Sequence, residues 1–288
     1  MNENRQTLLD VRHLSVGFDS YNARLEKTTF QAISDLSVSV REGEILAIVG
    51  SSGSGKSLLA HAVMDILPGN ARVGGQMFYR GEPLTAERTA RLRGHEIAFI
   101  PQSVAFLDPL MRVGSQVCGV PGKTLWGKMR EAFAHFNLKT GTEELYPFQL
   151  SGGMARRVLL STALVADAEL LIADEPTPGL DLELALEALK DFRAMADRGC
   201  GVVLITHDID LALHVADSIA IFYDGRVVET AATASFSGDG SGLKHPYSRA
   251  LFRALPQNGF HLDRCPGCGA TSATWTVDET GMRCPCHA

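Results

Sequence analysis

The stretch Ile45-Leu-Ala-Ile-Val-Gly-Ser-Ser-Gly-Ser-Gly-Lys-Ser57 couples an unbroken apolar run to a glycine-rich loop. A run without polar alternation predicts a strand covered on both faces. The loop, Gly50, Ser51, Ser52, Gly53, Ser54, Gly55, Lys56 and Ser57, fits the spacing G-x-x-x-x-G-K-[ST] in full. Helical spacing then runs from Ser57 to Ile66 and ends near Pro68-Gly69. Strand, loop, helix is the order phosphate binding needs. Glycines let the backbone turn its N–H groups inward around phosphate oxygens, and a helix N-terminus adds its positive end. Lys56 is expected to reach the β- and γ-phosphates, and the Ser57 hydroxyl to hold Mg²⁺.

Further strands and helices flank this unit on both sides. Leu8 to Phe18 and Leu36 to Val40 alternate apolar and polar residues, which predicts half-buried antiparallel strands. Ile97–Ile100, Leu170–Ala173 and Val202–Ile205 are short buried-type strands, and Leu182–Ala196 has the period of an amphipathic helix. Ile219–Tyr223 and Arg226–Glu229 flank Asp224-Gly225, a hairpin signal. Buried strands alternating with helices predict an α/β fold with a largely parallel sheet and an antiparallel β subdomain at the start. From about Val104 the chain becomes helical and less regular, and Ser235 to Gly242 reads as a linker or loop.

Leu170-Leu-Ile-Ala-Asp-Glu175 ends an apolar strand in two carboxylates. Taken alone, a solvated acidic loop would explain them. Behind a phosphate loop, a metal ion explains them better, because unpaired carboxylates near a core are costly. Asp174 is expected to hold Mg²⁺ and Glu175 to act as general base toward the attacking water.

Composition narrows the function classes. The 288 residues are 45% hydrophobic and 21% charged, with a formal net charge of -6. Nucleic-acid binders usually carry a basic balance, so none is expected as a partner. No stretch reaches the roughly 18 apolar residues of a membrane span; Val158–Ala173 is broken by Asp167 and Glu169. The opening residues carry no apolar run behind a basic end, so no signal peptide is expected. Cys118 and Cys200 stand alone, whereas Cys265, Cys268, Cys284 and Cys286 crowd into the last 24 residues. Cys265-x-x-Cys268 with Cys284-x-Cys286-His287 has metal-ligand spacing, suited to Zn²⁺ or an iron–sulfur cluster; a reduced tail is the alternative.

From about Leu8 to Glu229 the chain resembles the ABC ATPase family. Leu150, Ser151, Gly152, Gly153 and Met154 resemble its signature, Gln102 its glutamine loop, Asp181 its D-loop aspartate, His207 its switch histidine and Phe18 its adenine-stacking aromatic. The resemblance implies an ATP- and Mg²⁺-dependent ATPase in which Gln102 also senses Mg²⁺ and His207 and Gln102 assist Glu175. A Ser-Gly-Gly turn opening a helix is itself an anion-binding feature. One chain cannot aim it and Lys56 at one phosphate; two chains head to tail can, with the signature acting in trans. The pattern departs at Met154, at Arg156 where a Gln is common, and at Pro178-Gly179 where Ser-Ala is usual.

The resemblance extends to importers of oligopeptides, dipeptides and nickel, on Leu107-Asp-Pro-Leu-Met-Arg-Val-Gly114, Leu145-Tyr-Pro-Phe-Gln-Leu150 and His245-Pro-Tyr-Ser-Arg-Ala-Leu251. Leu255-Pro-Gln-Asn-Gly-Phe260 is similar to the branch carrying nickel or metal chelates; peptide import is the second reading. The tail also resembles the Cys-rich tails of related peptide-importer ATPases, some of which are associated with a [4Fe-4S] cluster. The resemblance implies an ATPase domain over 6–234, with a helical subdomain about 104–151 that docks on membrane partners, and an extension over 235–288. Implied partners are two transmembrane permease subunits, a second ATPase subunit (identical or homologous) and, indirectly, an extracytoplasmic substrate-binding protein. The implied location is the cytoplasmic face of the plasma membrane, held peripherally. A soluble ABC ATPase of DNA repair or translation is the competing class.

Overall fold

In the computed structural model, residues 5–21, 25, 27–51, 53–119, 125–255, 258, 276–278 and 281–283 are described. Strands β1 (Thr7–Tyr21) and β2 (Lys27–Arg41) run antiparallel, with Leu14 opposite Leu36 and Val16 opposite Ile33. Ile33, Leu36, Val38 and Val40 are buried between exposed or half-buried neighbours, the alternation of a sheet with one wet face. Strand β3 (Ile45–Val49) is buried at every position. Helix α1 (Ser57–Val63), strands β4 (Ala71–Tyr79) and β5 (Glu82–Pro83), and helix α2 (Ala86–Leu92) lead to β6 (Ile97–Ile100). Helices α3 (Val113–Cys118), α4 (Leu125–His135) and α5 (Gly152–Ala166) come next, then β7 (Leu170–Asp174), α6 (Leu182–Asp197), β8 (Gly201–Thr206) and α7 (Ile209–Val215). The hairpin β9 (Ser218–Tyr223) and β10 (Arg226–Ala232) precedes α8 (Pro246–Arg253), and a short antiparallel pair, Thr276–Asp278 with Gly281–Arg283, lies near the end.

The large sheet has the order β5-β4-β1-β2-β10-β9-β3-β8-β7-β6. From β9 to β6 every neighbouring pair is parallel; β10 joins β9 antiparallel, and β1, β2, β4 and β5 pair antiparallel. The architecture is thus a mixed α/β sheet with an antiparallel start. Successive strand residues point to opposite faces. Ile45, Ala47 and Val49 enter one core with residues of α3 to α8; Leu46 and Ile48 enter a second with α1, β1 and β2. Two covered faces are what a continuous apolar strand requires.

The hairpin turn is Asp224-Gly225, with φ of 47° and 75°. Two positive φ values mark the primed turn that matches strand twist. Its Gly225 carbonyl accepts N–H bonds from Ser34 at 2.8 Å and Asp35 at 3.3 Å, fastening the hairpin to β2.

The Ser235–Gly242 segment is a loop, but not a loose tether. Phe236 and Leu243 are buried, and Phe252 of α8 joins them in the first core. Glu229 on β10 accepts the N–H groups of Lys244 and His245 at 2.7 and 2.9 Å, anchoring the start of α8. The chain beyond 234 therefore continues the main body as far as α8. Among the described residues, no helix is long and apolar enough to cross a membrane.

Candidate active site

Four neighbouring parallel strands end at one edge, and each carries a sequence-derived site residue there. β3 runs into Gly50, β8 into His207, β7 ends on Asp174 before Glu175, and β6 leads into Pro101-Gln102. Ligand crevices form outside the carboxyl ends of strands in such sheets.

The glycines of the loop are required by space and by torsion. A Cβ on Gly50 would lie 2.3 Å from the Phe222 carbonyl oxygen, and Gly55 has φ +100° with the Ala32 carbonyl 3.1 Å from a Cβ. Lys56 is only 5% exposed. Its Nζ donates to the carbonyls of Gly50 at 2.9 Å and Ser51 at 2.8 Å, with Ser54 Oγ at 3.4 Å. Burial pulls its pKa below the usual ammonium range, while Glu175 and Asp174 oppose that pull. Ser52 lies outside the described residues.

Ser57 Oγ donates to Asp174 Oδ1 at 3.0 Å. Asp174 is 1% exposed, and its Oδ2 has no hydrogen-bond partner among the described residues. Burial, with the Glu175 charge adding to it, pushes its carboxyl up to about 6, against the opposing pulls of Ser57, Lys56 and Arg156. An orphaned buried carboxylate oxygen beside a serine hydroxyl is a hard oxygen donor set, which fits Mg²⁺.

Glu175 stands one residue further, 5% exposed and with φ +47°. Its N–H donates to the Ile205 carbonyl at 2.9 Å, and His207 Nδ1 lies 2.9 and 2.8 Å from its two carboxylate oxygens. A left-handed non-glycine residue is uncommon and is held by its surroundings. The side chain of His207 is half exposed, so this pair opens to solvent. Lys56, Ser57, Asp174, Glu175 and His207 are thereby brought into one cluster.

The exposed residue Gln102 comes after Pro101 beyond β6, and its carbonyl is gripped by Arg156. Phe18 is half-buried and packs on the second core; on the neighbouring strand its cross-strand partner Phe30 is exposed. Phe30 lines a cavity of about 410 Å³ together with Ser51, Gly53, Ser54, Tyr223 and Gly225. Sequence reading missed Phe30, although it is an aromatic at an exposed strand position.

The signature residues gather elsewhere. Ser151 caps α5, its Oγ accepting the Met154 N–H at 3.2 Å, and Asp181 caps α6, its Oδ1 accepting the Leu184 N–H at 2.9 Å. Leu150 and Met154 pack on the first core, and Gly152 is exposed. Between the two caps, the Leu180 N–H closes onto the Thr177 carbonyl at 3.1 Å with Gly179 at φ +84°, so Pro178-Gly179 form a type II turn. Gly153, Arg157, Gly179 and Asp181 share a cavity of about 430 Å³ that contains no phosphate-loop residue. Cys265, Cys268, Cys284 and Cys286 lie outside the described residues.

The chain is similar to known proteins in sequence and in fold. The ABC transporter family matches residues 33–178. The oligopeptide transport ATP-binding protein OppD of Lactococcus lactis subsp. cremoris is 34% identical, over 87% of this chain and 76% of its own length. The dipeptide transport ATP-binding protein DppD of Haemophilus influenzae is 35% identical, over 87% and 78%. The dimeric ATP-binding cassette MJ0796, in a post-hydrolysis state bound to ADP and Pi, shares the fold with a TM-score of 0.68 at 23% identity, covering 78% of this chain and 99% of that one. With a strand-end phosphate loop, a buried acidic pair and these relatives, the chain belongs to the ABC transporter family and carries that family's ATPase domain.

Proposed function

We propose that this chain powers the import of di- or oligopeptides, hydrolysing ATP on behalf of membrane subunits. The observation that carries the reading is the cluster of Lys56, Ser57, Asp174, Glu175 and His207 at the ends of three adjacent strands, in a chain whose relatives are named for peptide transport. The loop Gly50–Ser57 cradles the ATP phosphates, and Lys56 exchanges its carbonyl partners for β- and γ-phosphate oxygens. Ser57 and Asp174 would hold Mg²⁺, with Gln102 as a further contact of the glutamine loop; the ion would neutralise charge on the phosphates when bound. Glu175 takes a proton from the water whose oxygen attacks the γ-phosphorus, and the bond to the β–γ bridging oxygen breaks to release ADP. His207 orients the carboxylate. Phe18, with Phe30 next to it, offers the adenine an aromatic face.

Residues 6–234 form the ATPase unit and 235–288 an extension whose first part, as far as α8, packs into the same core. The helical region about 104–151 carries exposed apolar side chains: Phe106, Leu110 (87% exposed), Met111 and Phe148 (75%). Such side chains suit a protein partner, here two permease subunits, with an extracytoplasmic binding protein beyond them. A second ATPase subunit completes each site, its Ser151 and Gly153 facing the γ-phosphate. The chain works at the cytoplasmic face of the membrane. A Zn²⁺ or [4Fe-4S] role for the tail rests on cysteine spacing and on the resemblance to related tails, and metal analysis of the full chain beside a Cys265→Ser variant tests it.

Uptake tests the cargo. In a strain carrying Lys56→Ala, tripeptide uptake is expected to fall with cellular nickel unchanged. A fall in nickel with peptide uptake intact would move the protein to the metal-chelate branch suggested by Leu255 to Phe260.

A further inference from the structure

Arg156 lies on α5, five residues past the Ser151 cap, and is 4% exposed. A guanidinium buried so deeply must find acceptors for its donors. It finds them on the main chain of two separate loops. Nη1 donates to the Pro101 carbonyl at 2.7 Å and to the Gln102 carbonyl at 3.0 Å, and Nη2 donates to the Glu175 carbonyl. One side chain therefore ties together the helix that opens at the signature, the loop after β6 and the residue after β7. Its charge also faces those of Asp174 and Glu175.

The grip on Glu175 has a specific consequence. That residue sits at φ +47°, its N–H is fixed on Ile205, and its carbonyl is fixed on Arg156. An uncommon torsion persists only where the surroundings over-determine it. Remove the carbonyl's partner and that torsion loses one of its restraints; Pro176 still limits the peptide after Glu175, but a small shift there carries the carboxylate out of line with the phosphate loop. A glutamine in place of Arg156 has one amide group with two donors, so it cannot serve three carbonyls.

We propose that Arg156 is a positioning residue for hydrolysis, acting through the main chain of Glu175 and Gln102 to hold the base in line and in register with the signature helix. The proposal rests on the assignment of Glu175 as the base.

The test is single-turnover hydrolysis by the purified full chain, with ATP dependence measured for Arg156→Met, Arg156→Gln, Arg156→Lys, Glu175→Gln and Glu175→Gln/Arg156→Met. All are assayed well below their unfolding midpoints. Arg156→Met is expected to lose roughly 10- to 100-fold in rate, the scale of a small misplacement of reacting groups, with half-saturating ATP unchanged within about threefold. Arg156→Lys, which keeps a charged donor for some of the carbonyls, recovers part of the loss. In the Glu175→Gln background, the Arg156→Met change has an effect of less than about twofold, because both act on one group. A wild-type rate for Arg156→Met overturns the proposal, as does an undiminished effect in that background. If Arg156→Met fails to fold, Arg156→Gln carries the same test, and a wild-type rate there overturns the proposal. Glu175→Gln at the wild-type rate would instead overturn the base assignment underneath.

Discussion

Glu175→Gln replaces one carboxylate oxygen by an amide nitrogen and leaves the rest of the site in shape. Glu175 is 5% exposed, and its carboxylate meets His207 Nδ1 at 2.8 and 2.9 Å. The amide oxygen still accepts from His207, and the backbone bonds to Ile205 and Arg156 are untouched. What disappears is the ability to take a proton. A positioned base contributes roughly 10²–10⁴-fold, equivalent to about 2.7–5.4 kcal/mol of barrier at about 1.36 kcal/mol per tenfold. ATP affinity should hold or rise, since one negative charge leaves a site that receives a polyanion. Single-turnover hydrolysis at saturating Mg-ATP reads the rate, and titration with a fluorescent nucleotide reads the affinity. A rate within about threefold of wild type, or a matching loss of binding, would refute the role given to Glu175.

The same geometry sets other expectations. Asp174 titrates near 6 in the fold against 3.8 unfolded, so its contribution to stability is present below the unfolded value and lost as pH rises through about 6. A gap of about two pH units is about 3 kcal/mol, so in EDTA Asp174→Asn should raise urea stability at pH 7.5 and lose that advantage toward pH 4.5. Tyr79→Phe removes a buried hydroxyl that donates at 2.7 Å to Glu169, just ahead of β7 and at the opposite end of that strand from the site; denaturant unfolding should show a loss of about 1–2 kcal/mol with hydrolysis unchanged. Leu110→Ser with Phe148→Ser should reduce co-purification with membranes while nucleotide binding by the purified chain stays as it was. Because the signature and phosphate-loop cavities share no residue, hydrolysis per molecule should rise with protein concentration in rate measurements; a flat dependence at low concentration would argue for a self-sufficient chain.

How much of the fold is readable from the sequence depends on where each segment is buried. Ile45–Val49, Leu170–Ala173 and Val202–Ile205 announce themselves because both faces of their strands are covered, which leaves no room for polar alternation. Strand β4 does not: it carries Gly74-Gly75 with Arg72 and Gln76, and most of its positions are at least partly exposed, so no period of two emerges. Helices α2, α7 and α8 have seven or eight residues each, about two turns, too few for a 3.6-residue period to be distinctive; α1 is equally short, Ser57–Val63 against the expected Ser57 to Ile66, and is legible because the phosphate loop opens it. The candidate site residues are legible because phosphate chemistry would fix their spacing to strand ends. Arg156 is visible as a departure, yet its purpose is not. Its acceptors are main-chain carbonyls 54, 55 and 19 positions away, and a carbonyl has no side-chain signature to read.

The two caps are consistent with the proposal that each site is shared between two chains. Ser151 Oγ and Asp181 Oδ1 each hold the first turn of their own helix, so neither side chain is spent on the phosphate loop of its own chain. They lie on either side of the Pro178-Gly179 turn, which comes straight after the strand that delivers Asp174 and Glu175. A few residues therefore separate the base of one site from the wall of another cavity. Arg156 closes the circuit, since α5 starts at that second cavity and its guanidinium ends on the Glu175 carbonyl. A phosphate drawn to the helix start of α5 and a water activated at Glu175 would act on one rigid piece of main chain from opposite sides. In the proposed two-chain assembly, that connection would give a physical reason for ATP at one site to be sensed at the other.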